Sequence, residues 1–135
     1  IGKALPIHGG ERVAIFSTGA IFDEVSDAEA ILAQHGIHPA VWTFPTVKPI
    51  DRETIAVAAG GFDLIVTVEE HNTVGGFGGA VAEVLAELPS PRARLLRIGL
   101  HDVYSKLVGS QEYLRSRYGL DAAGIAAQVL AEAQK

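Results

Sequence analysis

Leu64-Ile65-Val66-Thr67-Val68 is an apolar run broken only by Thr67, with no alternation of polar and apolar positions. A strand with one wet face alternates. One that does not must be covered on both faces, as in a parallel sheet buried between helices. A second such run, Val13 to Ser17, makes the same demand and is broken by Thr18-Gly19. Ala40 to Phe44 is rich in β-branched and aromatic residues, which favour strands, and Leu95 to Ile98 is a further apolar run. A short strand is expected at Lys3 to Ile7, ahead of the turn signal Gly9-Gly10.

Between these runs the period changes from two to that of a helix. Ile21, Phe22, Val25, Ala28, Ile31 and Leu32 recur at helical spacing over Ala20 to His35, and Gly36 stands where a C-terminal capping glycine belongs. Pro45 and Pro49 bracket a loop. Asp51 is placed to cap a helix running to about Ala59, its carboxylate accepting an orphan backbone N–H. Gly76 to Leu88 reads as a helix with Ala80, Val81, Val84, Leu85 and Leu88 turned inward, and Pro89 and Pro91 end it. Helices over Ser110 to Tyr118 and over Asp121 to Ala133 finish the chain, with Asp121 as cap. Alternating strands and helices predict a three-layer α/β/α sandwich around a mostly parallel five-stranded sheet, one domain over residues 1–135.

Composition narrows the function. With a formal net charge of -5 there is no basic footprint for nucleic acid or an anionic membrane. The absence of cysteine excludes disulfides, thiolate metal sites and a cysteine nucleophile. No secretory or membrane-spanning run is present, so cytoplasmic is the default location. The chain has no methionine and opens on Ile1, from which a fragment of something longer is expected.

The segment carrying the most chemistry is Glu69-Glu70-His71, read as a loop to Gly75, followed by Gly75-Gly76-Phe77-Gly78-Gly79. It follows a strand and opens a helix, the position where open α/β sheets form ligand crevices. Glycines allow close backbone approach, and a helix N-terminus presents N–H groups to an anion. The plainer reading is that they let the helix pack tightly on the sheet or on another chain. Neither a P-loop nor a dinucleotide glycine pattern fits. Adjacent residues of an extended segment face opposite ways, so Glu69 and Glu70 do not readily share one site, and no third ligand accompanies them and His71 for a metal. One of the two glutamates is expected to cap the following N–H groups or to meet a partner domain. His101-Asp102 also sits past a strand, but no nucleophile elbow accompanies it. His8, His35 and His38 have no motif around them and read as surface or structural, and Lys48, Arg92, Arg94 and Arg97 as solvated charges.

Taken in order, Lys48-Pro49-Ile50-Asp51, Leu64 to His71, Gly75-Gly76-Phe77-Gly78 and Ala80 to Leu85 closely resemble the C-terminal domain of transketolases. So do Ile1 to Ala4, Ser17-Thr18-Gly19, Gly109 to Leu114 and Tyr118 to Asp121, so that the resemblance spans the chain. That domain is shared with deoxyxylulose-phosphate synthase and the beta subunits of 2-oxoacid dehydrogenases; His71 after two glutamates is more like transketolase. The resemblance implies a strand order 1-3-2-4-5 with the first strand antiparallel. It implies a dimeric parent enzyme that uses thiamine diphosphate and magnesium to move two-carbon ketol units between sugar phosphates. It also implies that other domains hold the cofactor and metal, through a GDG…NN motif that this chain lacks. No catalytic, cofactor-binding or metal-binding residue transfers onto it. Glu69, Glu70, His71, Gly75, Gly76, Phe77, Gly78 and His101 remain as candidates for facing an interface or a substrate. The competing expectations are a free-standing anion- or metabolite-binding module and a pure assembly subunit.

Overall fold

The computed structural model describes residues 2–45, 48–72, 76–90, 92–100 and 115–135. Five strands, β1 (Leu5–His8), β2 (Val13–Ser17), β3 (Ala40–Thr43), β4 (Leu64–Asn72) and β5 (Arg94–Leu100), form one sheet in the order β1-β3-β2-β4-β5. Only β1 runs antiparallel, against β3. The other pairings are parallel, in registers such as Ile15↔Val41, Ile15↔Val66 and Val66↔Leu96. The helices described along their whole length are α1 (Phe22–Ala33), α2 (Arg52–Gly61), α3 (Phe77–Ala86) and α4 (Ala122–Ala133).

Side chains separate by parity onto two apolar layers. Val13, Ile15, Val41, Val66, Val68 and Ile98 meet Val25 and Leu32 of α1 and Ile125 and Val129 of α4. Ala14, Phe16 and Ile65 meet Ile55 of α2 and Phe77, Val81 and Val84 of α3. Every residue of β2 is buried, as its unalternating sequence requires. Full burial of each such Ile, Val or Phe contributes about 1.5–3 kcal/mol. A chain of rings, Phe16 to Phe44 at 4.8 Å and Phe44 to Phe77 at 5.1 Å, carries the second layer from β2 to the first turn of α3.

The caps follow the sequence signals. The Asp51 carboxylate accepts the Thr54 N–H at 3.1 Å, and Asp121 accepts the Gly124 N–H at 2.9 Å. Gly36 (φ +76°) closes α1: its N–H reaches the Ala33 carbonyl and the Ile37 N–H the Leu32 carbonyl, both at 3.0 Å. That pattern needs the left-handed backbone that glycine adopts without strain.

Several boundaries differ from expectation. The first helix begins only at Phe22, after a single 3-10 turn over Gly19–Ile21. The first strand lies at Leu5–His8 rather than Lys3 to Ile7, and β5 is longer than Leu95 to Ile98. The largest change is in β4, which continues through Glu69-Glu70-His71 to Asn72 where a loop was expected. The pairing with the parallel strand β5 runs to Val68↔Ile98 and resumes at Asn72↔Leu100, so those polar residues lie in β4 within a register shift. Of the helix expected over Ser110 to Tyr118, residues 115–117 are helical and the earlier part lies outside the described residues.

Candidate functional site

In the order β1-β3-β2-β4-β5 the connection after β2 runs to β3 on one side and that after β4 to β5 on the other, so the topological switch point lies between the carboxyl ends of β2 and β4. Glu69 and Glu70 stand there. Because β4 is extended, parity sends Glu69 to the face of Ile65 and Thr67, under α3, and Glu70 to the face of Val66 and Val68.

Glu69 is fully buried. Its carboxylate accepts the Phe77 N–H at 3.1 Å and the Gly78 N–H, two of the donors that the first turn of α3 leaves unpaired. The α3 N-terminus has Gly76 at its cap and no side-chain bond from that residue. Glu69 supplies from the strand what the cap position lacks, and its charge complements the positive end of the helix dipole. The site that looked built for an external anion holds an internal one.

Glycine explains the fit of helix to sheet. A Cβ on Gly78 would lie 2.7 Å from Thr67 Oγ1 and 3.2 Å from the Arg97 Cγ and Cδ atoms. Thr67 Oγ1 is buried without a hydrogen-bond partner among the described residues, as is Ser17 Oγ at the end of β2. Phe77, the first residue of α3, is only 2% exposed.

On the other face Glu70 is bidentate with Arg115, Nε to Oε2 at 2.9 Å and Nη2 to Oε1 at 2.6 Å. These hydrogen bonds hold the guanidinium above its ordinary pKa against the opposing effect of burial, helped by the charges of Glu70, Glu24 and Asp23. The pair ties the carboxyl end of β4 to the segment before α4.

The sequence candidates are thus distributed. Glu69, Phe77 and Gly78 are occupied inside the domain, Glu70 is half-buried against Arg115, and Gly76 is the half-buried helix cap. His71 lies in β4, while Gly75 and His101 fall outside the described residues. Among the described residues no group of three or more His, Asp or Glu is placed to hold a metal ion, and no helix is long and apolar enough to cross a membrane. Thiamine diphosphate does not fit the α3 N-terminus, whose Phe77 and Gly78 N–H groups are already donated to a carboxylate. A hollow of about 190 Å³ lined by Arg12, His35, His38 and Leu130 sits at the opposite, amino end of the strands.

Arg115, Thr67 and Arg97 were not legible as site residues. Arg115 is 45 positions from its partner, and no motif links them. A cap from one of the two glutamates was one of two readings of the sequence, which did not say which acid would serve.

A family model for the transketolase C-terminal domain matches residues 2–125. A transketolase C-terminal section from Methanocaldococcus jannaschii is 40% identical over 135 residues, covering 100% of this chain and 41% of that protein. A 1-deoxy-D-xylulose-5-phosphate synthase from Syntrophotalea carbinolica is 42% identical over 129 residues, covering 96% of this chain and 20% of the synthase. The chain therefore spans less than half the length of these relatives. Among solved structures, a split-gene transketolase described as an inactive beta4 tetramer superposes with a TM-score of 0.86 at 33% identity, over 96% of this chain and 42% of that one. A transketolase from Pichia stipitis, at 16% identity and a TM-score of 0.73 over 98% of this chain and 18% of that one, shares the fold. With the family model matched along nearly its whole length and the strand order in agreement, the chain belongs to the transketolase C-terminal domain family.

Proposed function

We propose that this chain is the C-terminal section of a thiamine-diphosphate-dependent, transketolase-type enzyme. In this reading it braces and joins the other domains rather than performing chemistry itself. The observation that carries the reading is the use made of the switch-point carboxylates: Glu69 is spent on the α3 cap and Glu70 on Arg115. A crevice whose acids are consumed in holding the fold suits a bracing role. The parent reaction is the transfer of a two-carbon ketol unit between sugar phosphates, with thiamine diphosphate and magnesium held by the remaining domains. Those domains are supplied by the same polypeptide or a companion subunit, and the assembled enzyme is a dimer in the cytoplasm. The coverage of 41% of the M. jannaschii relative and the 33% identity to a split-gene transketolase support a companion section.

A second reading is favoured by one observation, the 42% identity to a 1-deoxy-D-xylulose-5-phosphate synthase. Co-purification with the polypeptide carrying the remaining domains, followed by assay with thiamine diphosphate and magnesium, separates the two. Ketol transfer that needs both sections is expected. Formation of 1-deoxy-D-xylulose 5-phosphate instead assigns the synthase. A chain that binds no companion section and melts higher in inorganic phosphate supports a free-standing anion-binding module and overturns both.

A further inference from the structure

All four residues of β1 are exposed, including Leu5 at 54% and Ile7 at 44%. Among the described residues no helix covers this strand as helices cover β2 and β4, and its own four residues are exposed. Among the same described residues it is attached by backbone pairing with β3 and by three side-chain ties. At its start the Ala4 N–H donates to Asp51 at 2.9 Å, and Lys3 meets Glu53 across 3.3 Å of exposed surface. At its end His8 meets Glu29, on α1.

The last contact dictates a charge state. His8 Nδ1 lies 2.9 Å from the Gly9 carbonyl oxygen, and Nε2 faces the Glu29 carboxylate. Both partners are acceptors, so both ring nitrogens must carry a proton. Only the imidazolium satisfies them together; either neutral tautomer turns a lone pair toward an oxygen. Glu29 is the charged group facing His8 from α1, and His38 lines the same hollow from the segment before β3. The residues of β3 opposite β1, Val41 to Thr43, carry no charge.

We propose that β1 is a separately opening strand, clamped to α1 by the His8–Glu29 contact, and that loss of the His8 proton releases it. The hinge is Gly9, where an added Cβ would meet nothing within 4 Å; at the next residue, Gly10, an added Cβ would lie 2.3 Å from backbone atoms of 38–40, so that position is closely packed and stays fixed. Release uncovers the outer hydrogen-bonding edge of β3 and the half-buried Trp42, which pairs with Pro6. The His8 pKa is raised above 6.5, by the Gly9 carbonyl first and by Glu29, against burial. A raised folded-state pKa gives a contribution fully present below 6.5 and lost as pH rises through the raised value, so β1 is clamped on the acid side and loosens on the alkaline side.

Hydrogen exchange on the 135-residue chain tests this, read as protection factors so that the intrinsic pH dependence of exchange cancels. Between pH 5.5 and pH 8.5 the β1 and β3-edge amides are expected to lose protection severalfold while β2 and β4 keep theirs. The emission of Trp42, the one tryptophan, should shift to the red over the same range. His8→Gln should abolish the pH dependence without changing the melting of the body. Equal β1 protection at both pH values, loss in step with β2 and β4, or a His8 pKa by NMR at or below 6.5 would each overturn the proposal.

Discussion

The Glu69 carboxylate, buried at the end of β4, accepts the N–H of Gly78 in the first turn of α3. One residue thus joins strand and helix across the loop that separates them, and the cap is supplied from outside the helix. Glu69→Ala leaves the Phe77 and Gly78 N–H groups buried without their acceptor. Loss of a cap together with stranded buried donors is expected to cost about 2–4 kcal/mol. Glu69→Gln keeps one accepting oxygen and turns an amide NH₂ toward the other donor, so it should fall between wild type and alanine. Urea unfolding midpoints at neutral pH order the three proteins.

Gly78 and Gly60 make a matched pair. Both are helical glycines, so alanine at either gains roughly 0.5–1 kcal/mol of intrinsic propensity. At Gly60 the new methyl meets nothing within 4 Å, and Gly60→Ala should raise the melting temperature. At Gly78 it meets Thr67 Oγ1 at 2.7 Å, where one neighbour is a branched, fully buried side chain. Overpacking at such a site costs about 1–3 kcal/mol, enough to reverse the sign. Opposite shifts of the two variants in thermal unfolding are the expected result.

Glu70 and Arg115 share two short hydrogen bonds in a partly dry setting. Glu70→Ala removes the bidentate acceptor and leaves the guanidinium, among the described residues, with the first-turn acids Asp23 and Glu24 of α1 as its nearby charges. The expected loss is roughly 1–3 kcal/mol, smaller than for a fully buried pair because Glu70 keeps some water. Combining it with Arg115→Ala should cost less than the sum of the single changes. A double-mutant cycle on unfolding free energy measures that coupling.

The layered α/β plan and the positions of Asp51, Asp121 and Gly36 were legible because each depends on local signals: an unbroken apolar run, a carboxylate before a helical period, a glycine after one. The end of β4 was not. Glu69, Glu70 and His71 carry no strand signal of their own; they lie in β4 between the pairs Val68↔Ile98 and Asn72↔Leu100, a relation between segments about thirty residues apart. The same holds for the candidate site. That one of the two acids would cap the following N–H groups was one of two expectations from the order of residues, contact with a partner domain being the other, and choosing Glu69 as the cap required the parity of the strand. Arg115, the partner of Glu70, has no sequence neighbour that points to it. The antiparallel placement of β1 came from the family resemblance, since four exposed residues give periodicity nothing to report.

Asp51 sets the acid limit of this arrangement. Burial alone would push its carboxyl up, but the Ala4 N–H, the Thr54 hydroxyl and N–H and the nearby Lys3 charge outweigh it and hold the group below its ordinary 3.8. A carboxyl depressed in the folded state contributes stability that is present above 3.8 and is lost as pH falls through the lower folded-state value. Asp51→Asn should therefore flatten the acid limb of a stability-versus-pH profile and leave its shape near neutral pH unchanged. It should also lower stability at pH 7 by about 0.5–2 kcal/mol, since an amide whose oxygen caps α2 at the Thr54 N–H turns its NH₂ toward the Ala4 N–H, which loses its acceptor. Denaturant unfolding of both proteins from pH 7 down to pH 3 checks each part. An acid limb as steep in the variant as in the wild type would assign the acid sensitivity to other carboxylates.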